Sequence, residues 1–203
     1  RPFLAIYSTF MQRAYDMILH DMALQNLPVR LCMDRGGLSG DDGPTHHGLF
    51  DIGYLRHVPG LVHMQAKDED EFIDMLWTMA NYEDGPIAIR YPRGNGPGAT
   101  IKEKPELLTI GEAEVIQTGT DVCLIPLGTM MELALEAKET LEAKGYSVTL
   151  INPRWIKPLD ARTISEHAKN AKVVCTFEDH VLYNGFGLSI IELLHDDVIG
   201  TPV

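Results

Sequence analysis

The stretch Asp34-Arg-Gly-Gly-Leu-Ser-Gly-Asp-Asp-Gly-Pro-Thr-His-His-Gly48 decides how the rest of the chain is interpreted. Five of its fifteen residues are glycine and one is proline, so we expect a loop rather than a helix or a strand. The same loop carries an arginine, three aspartates and two histidines. The apolar run before it, residues 29–33, predicts a strand of a parallel sheet. The loop then lies at the carboxyl end of that strand, where open α/β sheets bind ligands.

Short apolar runs alternate with amphipathic helical patterns on both sides of this loop, which predicts an α/β fold. A glycine-rich and proline-containing segment without apolar periodicity separates the chain into two halves. We therefore predict two consecutive parallel-sheet α/β domains, residues 1–96 and 109–203, joined by a linker at residues 97–108. The predicted strands are residues 3–7, 29–33, 61–64, 87–90, 121–126, 146–152 and 172–177.

The composition excludes several classes of function. A formal net charge of −12 argues against a nucleic-acid or anionic membrane surface, so an anionic ligand has to be held by local arginines. No apolar run approaches the ~20 residues of a membrane span. The three cysteines have no metal-type spacing and are expected to be core thiols in a reducing compartment. We predict a cytoplasmic protein with no metal site among these residues.

Three motifs follow one another along the chain: the segment from Tyr7 to Asp16, the loop described above, and Tyr-Pro-Arg-Gly-Asn at residues 91–95. In this order they resemble the 1-deoxy-D-xylulose-5-phosphate synthase family of transketolase-like thiamine-diphosphate enzymes. The resemblance covers essentially the whole chain, and it is looser over residues 105–203. It implies a transketolase-like pyrimidine-binding domain followed by a C-terminal domain, both of them truncated.

The resemblance also assigns roles to individual side chains. It implies that His46 faces the reaction centre and the substrate carbonyl, where an imidazole can hold or pass a proton at neutral pH. Asp42 is implied to bond substrate hydroxyl groups, and Tyr7 is placed with these two residues in the catalytic set. Phe10 is implied to stack on the aminopyrimidine ring of the cofactor, with Arg13 facing the same site. Without the resemblance, aromatic residues at a strand end are more often part of the core.

Arg35 and Arg93 are implied to hold the phosphate of D-glyceraldehyde 3-phosphate, because a planar fork of donors suits a phosphate group. Each follows a predicted strand, and we expect the two to converge although they are far apart in the sequence. Either arginine alone would usually be a surface cation. The implied reaction condenses pyruvate with this aldehyde, releases carbon dioxide and forms 1-deoxy-D-xylulose 5-phosphate, the first step of non-mevalonate isoprenoid biosynthesis.

The family uses thiamine diphosphate and Mg²⁺, which it holds with a Gly-Asp-Gly motif and a downstream asparagine. No counterpart of this motif, or of the family's activating glutamate, is found in the sequence. We therefore expect a fragment that binds no cofactor tightly by itself, that needs the N-terminal domain of the same protein, and that forms a homodimer. A bacterial protein would be cytoplasmic and a plant protein plastidial.

Other interpretations of the sequence stay open. The chain is alternatively a relative of transketolase or of a 2-oxo-acid dehydrogenase β subunit, or a free-standing binding or assembly module without catalysis. His47 receives no role, because the family commonly has glutamine at that place. Residues 177–187 are expected to support packing and dimer formation.

Overall fold

The computed structural model of the chain describes residues 2–203, which form two sheets with helices packed against them. The first sheet has the strand order β1-β2-β4-β3-β8, and the second has the order β5-β7-β6-β9. The strands are β1 (Phe3–Tyr7), β2 (Arg30–Asp34), β3 (Val62–Met64), β4 (Ile87–Arg90), β5 (Glu114–Gln117), β6 (Val122–Pro126), β7 (Val148–Asn152), β8 (Trp155–Lys157) and β9 (Val173–Phe177).

Most strand pairs are parallel, so the predicted α/β fold with two parallel-dominated sheets is confirmed. The helices cover the sheets as expected for strands that are connected by crossovers. They are α1 (Ser8–Met11), α2 (Tyr15–Met17), α3 (Asp51–Leu55), α4 (Glu69–Asn81), α5 (Met131–Ala143), α6 (Ala161–Asn170) and α7 (Phe186–Asp196).

The segment after β1 is helical but irregular. Apolar residues spaced three and four apart predict one helix here, and the structure instead has α1, a 3₁₀ turn (Gln12–Ala14), α2 and a π-helical turn (Ile18–Ala23). The changes of helical pitch still bury one apolar stripe, to which Met11, Ile18 and Met22 belong. Such irregular turns are frequent near functional sites.

The two halves of the chain share core residues. Ile52 of α3 lies in the core of the second half, and Trp155 of β8 lies in the core of the first half. Both side chains are completely buried. Burying each of them is worth about 1.5–3 kcal/mol, which makes this exchange a strong contribution to the contact between the halves.

Two strands depart from the prediction of purely parallel sheets. β8 comes from the second half of the chain, yet it pairs antiparallel with β3 at the edge of the first sheet. β5 pairs antiparallel with β7. Neither strand was predicted, because each is short and is specified by pairing across long stretches of sequence rather than by a local apolar pattern. The exact domain boundaries at residues 96 and 109 stay a prediction.

The predicted linker, residues 97–108, contains no helix or strand, but it is bonded closely to α4. The backbone N–H groups of Lys102 and Glu106 donate to Asp70 and Asp74 at 2.8 and 2.7 Å, and the N–H of Leu108 donates to a threonine hydroxyl of the same helix. The side chain of Lys102 adds an ion pair with Asp74 at 2.5 Å. The segment therefore runs as a fixed strap along one face of α4.

His63 in β3 is completely buried, and neither of its ring nitrogens has a hydrogen-bond partner within residues 2–203. Burial lowers the pKa of His63 from 6.5 to about 3, although the nearby Asp51 carboxylate acts in the opposite direction. Above pH 6.5 the residue is neutral in the folded and the unfolded chain alike. As the pH falls from there towards 3, the unfolded chain takes up a proton that the folded chain resists, and stability is lost.

We predict that His63→Leu reduces the acid sensitivity of the fold. Between pH 7 and pH 5 the natural protein should lose about 2 kcal/mol through this one residue, and the variant should not. Urea unfolding at the two pH values measures the difference. His195→Leu, at an exposed histidine, is the control and should keep the full loss. An equal loss in His63→Leu and in the natural protein would contradict the assignment.

Candidate functional site

The candidate site lies where three parallel strands end side by side. In β1 and β2, Tyr7 is paired with Asp34, and in β2 and β4, Met33 is paired with Arg90. The loops that leave these strands therefore start next to one another at the same edge of the sheet. Each of the three sequence motifs begins at one of these strand ends, which is why segments far apart in sequence meet here.

The loop after β2 is closed by its own backbone. Gly37 and Gly48 exchange two N–H···O hydrogen bonds of 2.8 Å, and the N–H of Gly36 donates to the carbonyl of Tyr91 at 2.9 Å. Gly37 has a φ of +92°, and a Cβ on Gly48 would lie 2.2 Å from the carbonyl oxygen of Arg35. Glycine is required at both positions, and residues 37–48 form a closed loop that presents its polar side chains on one side.

An aromatic group lines one side of the site. The rings of Tyr7 and Phe10 are stacked with their centroids 5.2 Å apart, and the His46 ring meets both of them edge-on at 6.1 and 5.3 Å. The guanidinium of Arg13 lies 5.8 Å from the Phe10 centroid. Phe10 and His46 are only partly buried, so this group presents a flat apolar surface at the edge of the sheet.

The two predicted arginines meet at one carboxylate. The Nε atoms of Arg35 and Arg93 lie 2.5 and 3.3 Å from the same oxygen, Oδ2 of Asp42. Arg35 also pairs with Asp34 at 2.7 Å and lies over the Tyr7 ring at 3.8 Å. The hydrogen bond from Arg35 lowers the pKa of Asp42, so this carboxyl is ionised at neutral pH. An oxyanion already occupies the point where the two guanidinium groups converge.

All seven side chains proposed from the sequence therefore lie in one cluster. They are Tyr7, Phe10, Arg13, Arg35, Asp42, His46 and Arg93. Arg35 and Arg93 are distant in sequence, and their side chains converge in the structure as expected. Their individual roles stay proposals.

The histidine pair in the loop is held by short contacts. Thr45 Oγ1 lies 2.9 Å from Nδ1 of His46, which leaves Nε2 of that ring for other contacts. His47, which was assigned no role from the sequence, accepts a hydrogen bond at Nδ1 from the N–H of Ser39 at 2.9 Å. The Ser39 hydroxyl donates to the carbonyl of His46 at 2.8 Å. The hydrogen bonds of Ser39 with residues 46 and 47 thus stabilise the conformation of the loop.

Behind the loop lies a fully buried ion pair that the sequence did not predict. Arg90 and Asp51 are both inaccessible to solvent and are joined by a 2.7 Å contact from Nε to Oδ2. Arg90 also donates to Gln65 at 2.7 Å and to the carbonyls of Gly48 and Asp179 at 3.2 Å each. Burial is the largest single influence and raises the pKa of Asp51, but the charge of Arg90, the hydrogen bond from its guanidinium and smaller nearby contributions together bring that pKa below its usual value.

The second half of the chain also reaches the site, through residues that the sequence analysis assigned to packing. Oδ2 of Asp179 accepts a hydrogen bond from the N–H of Leu38 at 2.9 Å. His180 lies 3.3 Å from the N–H of Gly53 at the start of α3. The sequence does contain one sign of the buried ion pair. Arg90 is a charged residue within an apolar run, and a charged side chain in the core requires a partner.

A cavity of about 230 Å³ lies between the loop that follows β4 and the 3₁₀ turn (Gly128–Met130) before α5. Its walls include Phe72, Tyr91, Asn95 and Thr129, so both halves of the chain contribute. Within residues 2–203, no three histidine, cysteine, aspartate or glutamate side chains are grouped so that they could hold a metal ion. No helix in that range is both long enough and apolar enough to cross a membrane.

Comparisons with known proteins agree with this architecture. Residues 1–98 match the family described as "Transketolase, pyrimidine binding domain", and residues 111–203 match "Transketolase, C-terminal domain". Among solved structures, a chain described as "Split gene transketolase, inactive beta4 tetramer" superposes with a TM-score of 0.89 at 26% identity. The superposition covers 100% of this chain and 65% of that one.

Curated relatives are considerably more similar in sequence. The 1-deoxy-D-xylulose-5-phosphate synthases of Methylacidiphilum infernorum and Acidobacterium capsulatum are 56% and 53% identical over 203 residues. These matches cover 100% of this chain and 32% of each relative, so the chain spans about a third of the length of the curated relatives it matches. The chain belongs to the transketolase family, in which it comprises a pyrimidine-binding domain followed by a C-terminal domain and is similar to 1-deoxy-D-xylulose-5-phosphate synthases.

Proposed function

We propose that this chain is part of a thiamine-diphosphate-dependent synthase that condenses pyruvate with D-glyceraldehyde 3-phosphate, releases carbon dioxide and forms 1-deoxy-D-xylulose 5-phosphate. The similarity to synthases of that name over the whole chain supports the proposal. The observation that carries it is the convergence of Arg35 and Arg93 on one oxyanion beside an aromatic group. A phosphate has the charge and the oxygen geometry that two guanidinium groups prefer.

The phosphate of the aldehyde would be held by Arg35 and Arg93, in competition with the Asp42 carboxylate that both arginines contact. The substrate therefore has to displace that carboxylate or share its donors with it. Asp42 is ionised at neutral pH and would accept hydrogen bonds from substrate hydroxyl groups once it has moved. The arginines then select a phosphorylated aldehyde over an unphosphorylated one.

His46 would exchange a proton at Nε2, because its Nδ1 is already engaged by Thr45. The rings of Tyr7 and Phe10 lie against it and keep water from one side of the imidazole. The Arg35 guanidinium also covers the Tyr7 ring. The residue proposed to bind phosphate is therefore in direct contact with a residue proposed to take part in catalysis.

Thiamine diphosphate fits part of this site. The partly exposed Phe10 ring and the neighbouring Arg13 suit a flat heteroaromatic ring, and this pair would hold the aminopyrimidine end. The bound cofactor supplies the nucleophilic carbon and the electron sink that decarboxylation of a 2-oxo acid requires. Its diphosphate and the accompanying Mg²⁺ would be held outside the two domains, because the Gly-Asp-Gly motif with which the family holds them has no counterpart in the sequence.

The experiment that tests the proposed function is an assay of the full-length gene product with ¹³C-labelled pyruvate, D-glyceraldehyde 3-phosphate, thiamine diphosphate and Mg²⁺. We predict formation of labelled 1-deoxy-D-xylulose 5-phosphate and release of carbon dioxide. A transketolase would instead transfer a two-carbon unit from a ketose phosphate. Two-carbon transfer without consumption of pyruvate would contradict the proposal.

We predict that Arg93→Ala raises the KM for D-glyceraldehyde 3-phosphate about tenfold and changes the KM for pyruvate little. A charge-assisted hydrogen bond is worth about 1.5–3 kcal/mol, and the lower end applies because Asp42 competes for the same donors. Arg93→Lys should fall between the two, since it keeps the charge and loses the planar fork. Arg162→Ala, at an exposed arginine of α6, is the matched control. Equal increases in both KM values would count against a phosphate role.

We predict further that the 203-residue chain by itself neither binds thiamine diphosphate tightly nor turns over substrate. Most of the affinity for a diphosphate comes from its metal ion and the groups that hold both. The structural relative of similar fold is itself described as an inactive assembly of a split-gene transketolase. Calorimetric titration with cofactor and Mg²⁺ measures the affinity, with the full-length gene product as the comparison. A micromolar or tighter dissociation constant for the isolated chain would be inconsistent with this view.

A further inference from the structure

Residues 178–180 follow β9, and each of these three polar residues makes a different contact. Glu178 accepts hydrogen bonds from the N–H groups of Phe186 and Gly187 at 2.6 and 2.9 Å, so it caps the amino end of α7. His180 contacts α3. Asp179 alone of the three points its carboxylate at the loop between Arg35 and His46, which belongs to the other half of the chain.

The contact between Asp179 and this loop is close. Oδ2 of Asp179 accepts from the N–H of Leu38 at 2.9 Å, and a Cβ on Gly37 would lie only 2.0 Å from the same oxygen. The Asp179 side chain therefore packs directly against the backbone of Gly37, and any other residue at position 37 would displace it. The bond lies between Arg35 and Asp42, the two residues whose side chains meet in the site.

The backbone of Asp179 is fixed as well. Its carbonyl accepts from Nη2 of Arg90 at 3.2 Å, and Arg90 is completely buried at the end of β4. The same Nη2 donates to the carbonyl of Gly48, which closes the loop. Asp179 is thus tied to a rigid strand end on one side and to the middle of the loop on the other. The conformation of the loop therefore depends on where the second half of the chain places Asp179.

We propose that Asp179 is a positioning residue, which holds residues 37–48 in the conformation that directs Arg35 and Asp42 into the site. The inference rests on the proposed function for its link to catalysis. It assigns the affinity for the phosphorylated aldehyde partly to the C-terminal domain, although the side chains that would touch the phosphate lie in the pyrimidine-binding domain. Pyruvate, which has no phosphate, should depend on this contact much less.

The test uses the full-length gene product with Asp179→Ala and two readouts. We expect amide hydrogen exchange at Leu38 and in the loop to become about tenfold faster or more, because a hydrogen bond to a charged acceptor is lost. The KM for D-glyceraldehyde 3-phosphate should rise by about tenfold and the KM for pyruvate by no more than about twofold. Asp179→Asn retains an oxygen acceptor and should restore most of both values.

Glu178→Gln is the matched control, because it weakens the neighbouring cap of α7 and should leave loop exchange and both KM values as they are. If Asp179→Ala does not fold, Asp179→Ser keeps a polar side chain that is too short to reach the N–H of Leu38 and should give the same two changes. Unchanged loop exchange in the folded variant, or a rise that Glu178→Gln reproduces, overturns the positioning role. A protein that consumes no pyruvate refutes the proposed function instead, while the exchange measurement still decides the role of Asp179.

Discussion

The buried ion pair between Arg90 and Asp51 is the interaction on which the geometry of the site depends. Two charges without solvent contact are costly to bury, and Arg90 offsets this cost by donating to a carboxylate, an amide and two carbonyls. Removing one partner of such a pair typically costs about 3–5 kcal/mol, because the other is left charged in the core. The two carbonyls belong to Gly48 and Asp179, so the same guanidinium fixes the loop and the second half of the chain.

The parallel arrangement of three strands brings the residues of the site together next to this ion pair. Because β1, β2 and β4 are adjacent and run in the same direction, the segments that follow them leave the sheet at a common edge. The aromatic side chains come from the first segment, the loop with Arg35 and Asp42 from the second, and Arg93 from the third. The strand ends fix where each segment begins, and the glycine-rich loop contributes the polar side chains. The strap along α4 and the exchanged side chains of Ile52 and Trp155 hold the second half against this arrangement.

The α/β class was predictable from local apolar runs. The seven proposed side chains were singled out by the resemblance of three motifs to a known family, and the position of those motifs at the carboxyl ends of parallel strands explains why the side chains group together. The pairing of β8 with β3 was not, since an edge contact between distant segments leaves no periodic pattern. Arg90 was seen only as the end of a strand, although its charge in an apolar run signalled a buried partner. The bridging of Arg35 and Arg93 by Asp42 depends on loop conformation, including a φ of +59° at Arg35. No spacing rule encodes that conformation.

We propose that the substrate phosphate binds at the oxyanion position that Arg35 and Arg93 share. The most direct measurement is a crystal structure of the full-length gene product with D-glyceraldehyde 3-phosphate bound. We expect phosphate oxygens within hydrogen-bonding distance of both guanidinium groups, and the Asp42 carboxylate moved away from its position between them. A phosphate bound elsewhere, with Asp42 still joining the two arginines, would contradict it.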